Sequence, residues 1–154
     1  MREFAGIEAL AAAVGETLGP GPWERIDQRR VDLFADATDD HQWIHVDPVR
    51  AAAGPFGGTI AHGYLTLSLL PVLVGRLFRV DGVAMGINYG LNRVRFPAPL
   101  PVGRAVRATA LIAEVTAVEG GVQVVTTVTV QSDAGGKPVC VAESVSRLYP
   151  GAAR

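Results

Sequence analysis

The chain has 154 residues, 49% of them hydrophobic, which suffices for one ordinary core and is too short for two comfortable domains, so a single domain over 1–154 is expected. Net charge is -1, and the basic residues, all arginine except Lys137, are scattered rather than blocked, so neither nucleic acid nor an anionic membrane surface is implied as a partner. The lone Cys140 excludes an internal disulfide and has no second cysteine for a metal site, which fits a reducing cytoplasm.

Phe4, Ile7, Leu10, Ala11, Val14 and Leu18 fall at helical spacing and predict an N-terminal helix over 3–18, stopped by Gly19-Pro20-Gly21-Pro22. Glu3, Glu8 and Glu16 interrupt that stretch, so it lacks the apolar core of a signal peptide. Trp23 to Asp27 reads as a first strand. Val31, Phe34, Ala35 and Thr38 define a second, short helix, with Asp39 and Asp40 just beyond its last turn. An acidic pair at a helix C-terminus opposes the helix dipole, a local cost that function would explain.

Asp47-Pro48 begins another helical turn through Ala53, because aspartate suits the cap and proline the position after it; Gly54 ends it. Ala51 to Gly75 carries no formal charge, yet glycines and Pro55 break its first half, leaving an apolar run shorter than the roughly 20 residues a bilayer needs. From His62 to Phe78 the chain is apolar almost all round, the mark of a buried helix, with Pro71 expected to bend it.

The C-terminal half switches to period two. Ile87 to Phe96, Val102 to Val118, Val122 to Gln131 and Val139 to Tyr149 read as strands, and Glu119-Gly120-Gly121 and Asp133-Ala134-Gly135-Gly136 as the turns of an antiparallel meander. A flat layer covers only one side of a helix, so the sheet must curl round the apolar one: an α+β domain with a wrapped helix.

Within Asp39-Asp40-His41-Gln42-Trp43-Ile44-His45, Asp40 and His45 stand five positions apart and can close round one water. Either could serve structure alone, Asp40 in a turn and His45 bonded to a carbonyl; their pairing is what points to chemistry. His41 and His62 read as structural, His62 as a helix starter. No His-x-x-x-His pair exists on one helix face, so no metal is expected. Ser68 on an apolar helix commonly bonds the carbonyl four residues back, and it lacks the glycine flanks of a hydrolase nucleophile elbow. Trp43 and Tyr64 read as packing or pocket walls, and Arg76 and Arg79 as cations at the end of the apolar helix.

Three pieces in order resemble the MaoC-like, R-specific enoyl-CoA hydratase family of the hot-dog fold: Asp40 with His45 and Asp47-Pro48; Ile60-Ala61-His62-Gly63 opening the central helix, with Ser68 in it; and Arg95-Phe96-Pro97-Ala98-Pro99-Leu100 before the long hairpins. The likeness covers about residues 23–149 and leans toward the branch named after nodulation proteins. The family usually has asparagine and proline where this chain has Gln42 and Trp43.

The resemblance implies a single hot-dog domain, its curled antiparallel sheet wrapped round a long central helix. It implies a catalytic pair of Asp40 and His45, the Gly63 amide offered to a thioester carbonyl, and Ser68, Tyr64 and Trp43 near the acyl group. Asp40 takes a proton from water, provided it is buried enough to be basic, while His45 orients that water. Arg93 or Arg95 can reach a coenzyme A phosphate. The substrate is an acyl-CoA and the unit a homodimer, with no cofactor beyond coenzyme A itself. Two other readings stay open: an acyl-CoA thioesterase on the same scaffold, and a non-catalytic acyl-thioester-binding or partner subunit, for which the Gln42-Trp43 pair is the best support.

Overall fold

The computed structural model describes residues 1–151. Five strands carry the main sheet: β2 (Thr17–Leu18), β5 (Val83–Arg95), β6 (Ala105–Val118), β7 (Gly121–Ser132) and β8 (Cys140–Pro150), in the order β2-β6-β7-β8-β5. β3 (Glu24–Arg25) adds to β6 beside β2, and every pairing in this sheet is antiparallel. Tight turns at Gly120 and at Gly135-Gly136, all with positive φ, join β6 to β7 and β7 to β8, as the glycine pairs predict.

Alternation decides which face is core. Val106, Ala108, Ala110 and Ile112 of β6, Val124, Val128 and Val130 of β7, and Cys140 and Ala142 of β8 are buried against the helical layer. That layer comprises α1 (Ile7–Ala12), α2 (Gln28–Thr38), α3 (Trp43–Val46), α4 (Pro48–Ala52), α5 (Gly63–Ser68) and α6 (Leu70–Gly75). Leu65, Leu69, Leu70, Leu73 and Leu77 supply its central ridge. The result is one α+β domain with a curled antiparallel sheet round a central helix, the hot-dog architecture. No described helix is long and apolar enough to cross a membrane.

Two expectations are corrected. The N-terminal helix is not 3–18 but Ile7–Ala12; Phe4 lies on β1 (Arg2–Phe4), parallel to β4 (Phe78–Val80), and Leu18 lies on β2 against Ala110. Gly6 and Gly15, both with positive φ, break the helix at each end, and the Gly15 amide donates to Ile112 in the sheet. Phe4, Leu10 and Leu18 are all buried, but from three different elements that happen to share a spacing.

The long central helix is likewise two segments of six residues meeting at Leu69, with Pro71 in the first turn of α6. Proline has no N–H for an interior turn, so it resets the helix instead of bending it. Nor is this helix covered all round within one chain: Tyr64, Ser68, Pro71 and Val72 are exposed along one side. β5 is exposed from Ala84 to Arg93, with Met85, Ile87, Tyr89 and Leu91 on an unpaired outer edge.

Candidate active site

The site begins where α2 ends. Asp27 caps α2 by accepting from the Arg30 amide, and Asp39 closes it in the left-handed conformation at φ 57. Aspartate tolerates that region better than most residues. Asp39 therefore acts as the corner that turns the chain and delivers Asp40, a local reason for the acidic pair.

α3 is a single turn in which the His45 amide donates to Gln42 and the Asp47 amide to Trp43. Asp47 then caps α4 by accepting from Arg50, with Pro48 in the first turn, as its sequence predicts. Trp43 packs so close to Gly54 that a Cβ there would meet its ring at 2.9 Å, and the Arg50 guanidinium lies 4.5 Å above it. Trp43 thus braces the α3–α4 corner from outside the Asp40–His45 cluster, and α3 still presents His45 with this residue in place.

His45 is held at both ends. Its carbonyl accepts from Gln28 Nε2 at 2.7 Å, and its ring Nδ1 lies 2.6 Å from the Ile60 carbonyl. A carbonyl only accepts, so Nδ1 carries the proton and the Nε2 lone pair is free in the neutral ring. Gln28 Oε1 in turn accepts from the buried Thr59 hydroxyl at 2.6 Å, and the Ile60 amide donates to Ile44. Burial pushes His45 below the ordinary histidine value of 6.5, neighbouring His62 adds to that, and the Ile60 bond and Asp40 pull the other way. The ring is therefore a neutral proton acceptor at pH 7.

The structure brings one further residue into the cluster. His62, read as structural, stacks on His45 with ring centroids 3.8 Å apart and planes 24° apart, and its Nε2 lies 2.9 Å from the Asp40 carbonyl. It sits at the cap of α5 but makes no side-chain cap bond. Its neighbour in the sequence is Gly63, and that adjacency is the one local signal of its place in the cluster. His41 pairs with Asp36 on the surface, at 2.9 Å.

Asp40, His45 and His62 each offer an atom within 4.8 Å of the others, a group that invites a cation. The geometry suits one poorly. One nitrogen of each ring is committed to a carbonyl, which leaves two imidazole lone pairs and one carboxylate, short of the four protein ligands of a closed tetrahedral site. The Asp40 carboxylate is 51% exposed, so the burial expected of it is not supplied by this chain's own residues.

Gly63 opens α5 beneath Phe96: a Cβ on Gly63 would meet that ring at 2.9 Å. α5 is short, so its unpaired amide, more than a long-helix dipole, is what it offers an acceptor. Tyr64 is exposed and meets Phe96 edge-on, centroids 6.1 Å apart. Ser68 donates its hydroxyl to the Tyr64 carbonyl at 2.7 Å, the bond expected of a serine on a helix, and its side lines a cavity.

That cavity, of about 830 Å³, lies between α5–α6 and the sheet, with Leu67, Leu70, Val74 and Leu91 as apolar walls and Thr126, Ser144 and Ser146 as hydroxyls. It touches α5 at Leu67 and Ser68, and neither Asp40 nor His45 lines it. Arg93 and Arg95 line a separate recess of about 260 Å³ with Thr127, Val141 and Glu143. Because Thr127 and Glu143 alternate with Thr126 and Ser144 along strands paired without a bulge, this recess is on the opposite face of the sheet. The two arginines do not join the Asp40–His45 cluster.

Residues 9–134 match the MaoC like domain. The chain belongs to the MaoC-like dehydratase family. It is 57% identical over 148 residues to a 3-hydroxyacyl-thioester dehydratase Z of Mycobacterium tuberculosis strain H37Rv, covering 96% of this chain and 98% of that protein. It is 45% identical over 141 residues to nodulation protein N of Rhizobium leguminosarum bv. viciae, covering 89% and 87%. The solved (R)-hydratase from A. caviae involved in PHA biosynthesis superposes with a TM-score of 0.64 at 30% identity, over 88% of this chain and 96% of that one. This MaoC-like chain is thus a dehydratase, a hydro-lyase, and its Asp40–His45 cluster is the candidate centre.

Proposed function

We propose that the chain is an R-specific enoyl-CoA hydratase, adding water reversibly to a trans-2-enoyl thioester to give the (R)-3-hydroxyacyl thioester. The observation that carries this reading is the Asp40–His45 spacing. A carboxylate oxygen and an imidazole nitrogen lie within 4.8 Å, and one water donating to two acceptors at about 2.8 Å each spans about 4.5 Å. With both hydrogens engaged, the water's lone pair is left for C3.

As the C3–O bond forms, one water O–H breaks and its proton passes to Asp40, with His45 Nε2 holding the other hydrogen. The π electrons move onto the thioester oxygen, which the Gly63 amide receives; glycine lets it approach without a side chain in the way. The enolate then collapses as Asp40 returns the proton to C2. Both bonds form on one face, so addition is syn.

The cavity beyond Ser68 suits a short to medium acyl chain, its volume within the roughly 300–1,000 Å³ of small-molecule sites. Arg93 and Arg95 stay outside this centre; a coenzyme A phosphate reaches them only round the β5 edge. The working unit in this reading is a homodimer in the cytoplasm. It is supported by β5, an unpaired thirteen-residue edge with four exposed large apolar side chains, and by the bare Tyr64–Val72 side of the central helix. No cofactor or metal takes part.

The test is incubation with crotonyl-CoA, following loss of the conjugated absorbance and release of free thiol. Hydration without thiol is expected. Thiol release would instead mean attack at the carbonyl carbon, as in a thioesterase, and no reaction would mean an acyl-binding subunit.

A further inference from the structure

We propose that His62 is the positioning residue of this centre: by holding the Asp40 carbonyl through its Nε2–H and backing the His45 ring, it sets the gap in which the water is gripped. The inference rests on the hydratase reading of the Asp40–His45 pair and adds a residue to it.

Its hydrogen bonds fix what His62 can do. The Asp40 carbonyl only accepts, so Nε2 of His62 carries a proton, at 2.9 Å. Its Nδ1 is buried and has no partner, and the residue is 3% exposed. A second proton on Nδ1 would be a buried donor with nothing to meet it. His62 is therefore committed to the loop through Nε2, while its buried Nδ1 meets no partner.

Its faces are committed as well. One lies on His45 at 3.8 Å, and Phe34 of α2 lies on another side, centroids 5.0 Å apart. The ring cannot turn without displacing one of them. The ionisable groups facing it are His45, from α3, and Asp40, from the loop after α2, whose Oδ2 is 3.9 Å from Nε2. Tying the Asp40 backbone and stacking on His45 fixes both acceptors relative to one ring, and the peptide bond to Gly63 fixes the amide donor to the same ring. One side chain thus registers base, water-holder and carbonyl site at once.

Two variants separate the roles. His62→Phe keeps a ring against His45 and loses the bond to Asp40; His62→Gln keeps an N–H for that carbonyl and loses the stack. With His62→Phe, kcat for crotonyl-CoA hydration should fall about 10- to 100-fold with KM within about threefold, since a shift of about 1 Å costs that much. His62→Gln should retain several-fold more kcat than His62→Phe. In the unaltered protein, imidazole nitrogen NMR should show opposite tautomers, Nδ1–H for His45 and Nε2–H for His62.

Equal kcat in His62→Phe and the unaltered protein would overturn the proposal. So would damage to His62→Gln as deep as to His62→Phe, or a loss of kcat in both that merely follows their loss of thermal stability. A proton on Nδ1 of His62 would overturn it without any assay of activity. Absence of hydration in the unaltered protein would instead sink the hydratase reading, and the tautomer pattern would still report on the bond to Asp40.

Discussion

Replacing Gln28 by leucine removes the clamp on His45 while roughly conserving volume. The Gln28 amide donates to Asp32 Oδ1 at 2.8 Å and to the His45 carbonyl at 2.7 Å, and accepts from Thr59 Oγ1 at 2.6 Å. Each net bond is worth about 1 kcal/mol, less for the more open one to Asp32, and the buried Thr59 hydroxyl is left without its acceptor, so the sum is about 2–3 kcal/mol. Urea unfolding should show a lower midpoint at unchanged slope. Thr59→Val alone should cost about 1 kcal/mol, and the double variant should be less damaged than the sum of the singles by about that amount, because both remove the same bond. The hydration rate of Gln28→Leu should fall about tenfold, because the α3 backbone loses its anchor. A stability loss below about 0.5 kcal/mol with an unchanged rate would refute the view that Gln28 positions His45.

Gly63→Ala should leave the fold nearly as stable, because Phe96, the side chain its Cβ meets at 2.9 Å, is 40% exposed and can shift. It should lower kcat/KM for crotonyl-CoA about 10- to 100-fold, since the methyl and the displaced ring crowd the amide; an unchanged kcat/KM would remove Gly63 from the reaction. Glu24 bridges Arg30 at 2.7 Å and Arg76 at 2.6 Å, tying α2 to the end of α6, and its hydrogen bonds from those two side chains hold its carboxyl below the ordinary value of 4.5. A depressed carboxyl contributes stability above the unfolded value that is lost as pH falls through the folded one. Glu24→Gln should therefore be less stable than the unaltered protein by about 1 kcal/mol or less near pH 7, with the gap closing below about pH 4.5, as read by thermal melts across pH.

Much of this was legible in the sequence because it is local. Asp47-Pro48 starts a helix through its own side chain, the period-two runs make β6 to β8, and the five-residue spacing of Asp40 and His45 brings the two side chains together. What was illegible is carried by contacts between distant segments. Gln28 meets residues 17 and 31 positions away, and His62 meets a carbonyl 22 positions back, so neither role leaves a local pattern. The N-terminal helix was overextended for the converse reason: Phe4, Leu10 and Leu18 are buried by sheet and helix together, and burial mimicked a helical period. Ser68 illustrates a local rule that held, its hydroxyl returning to the Tyr64 carbonyl.

The central claim is that Asp40 and His45 grip one water for attack on C3. Its most direct measurement is the hydration rate of crotonyl-CoA by Asp40→Asn and His45→Gln, with folding checked by circular dichroism. Each folded variant should lose about 10²- to 10⁴-fold in kcat, the range for a positioned acid or base. Either one folded and hydrating at the unaltered rate would contradict the account.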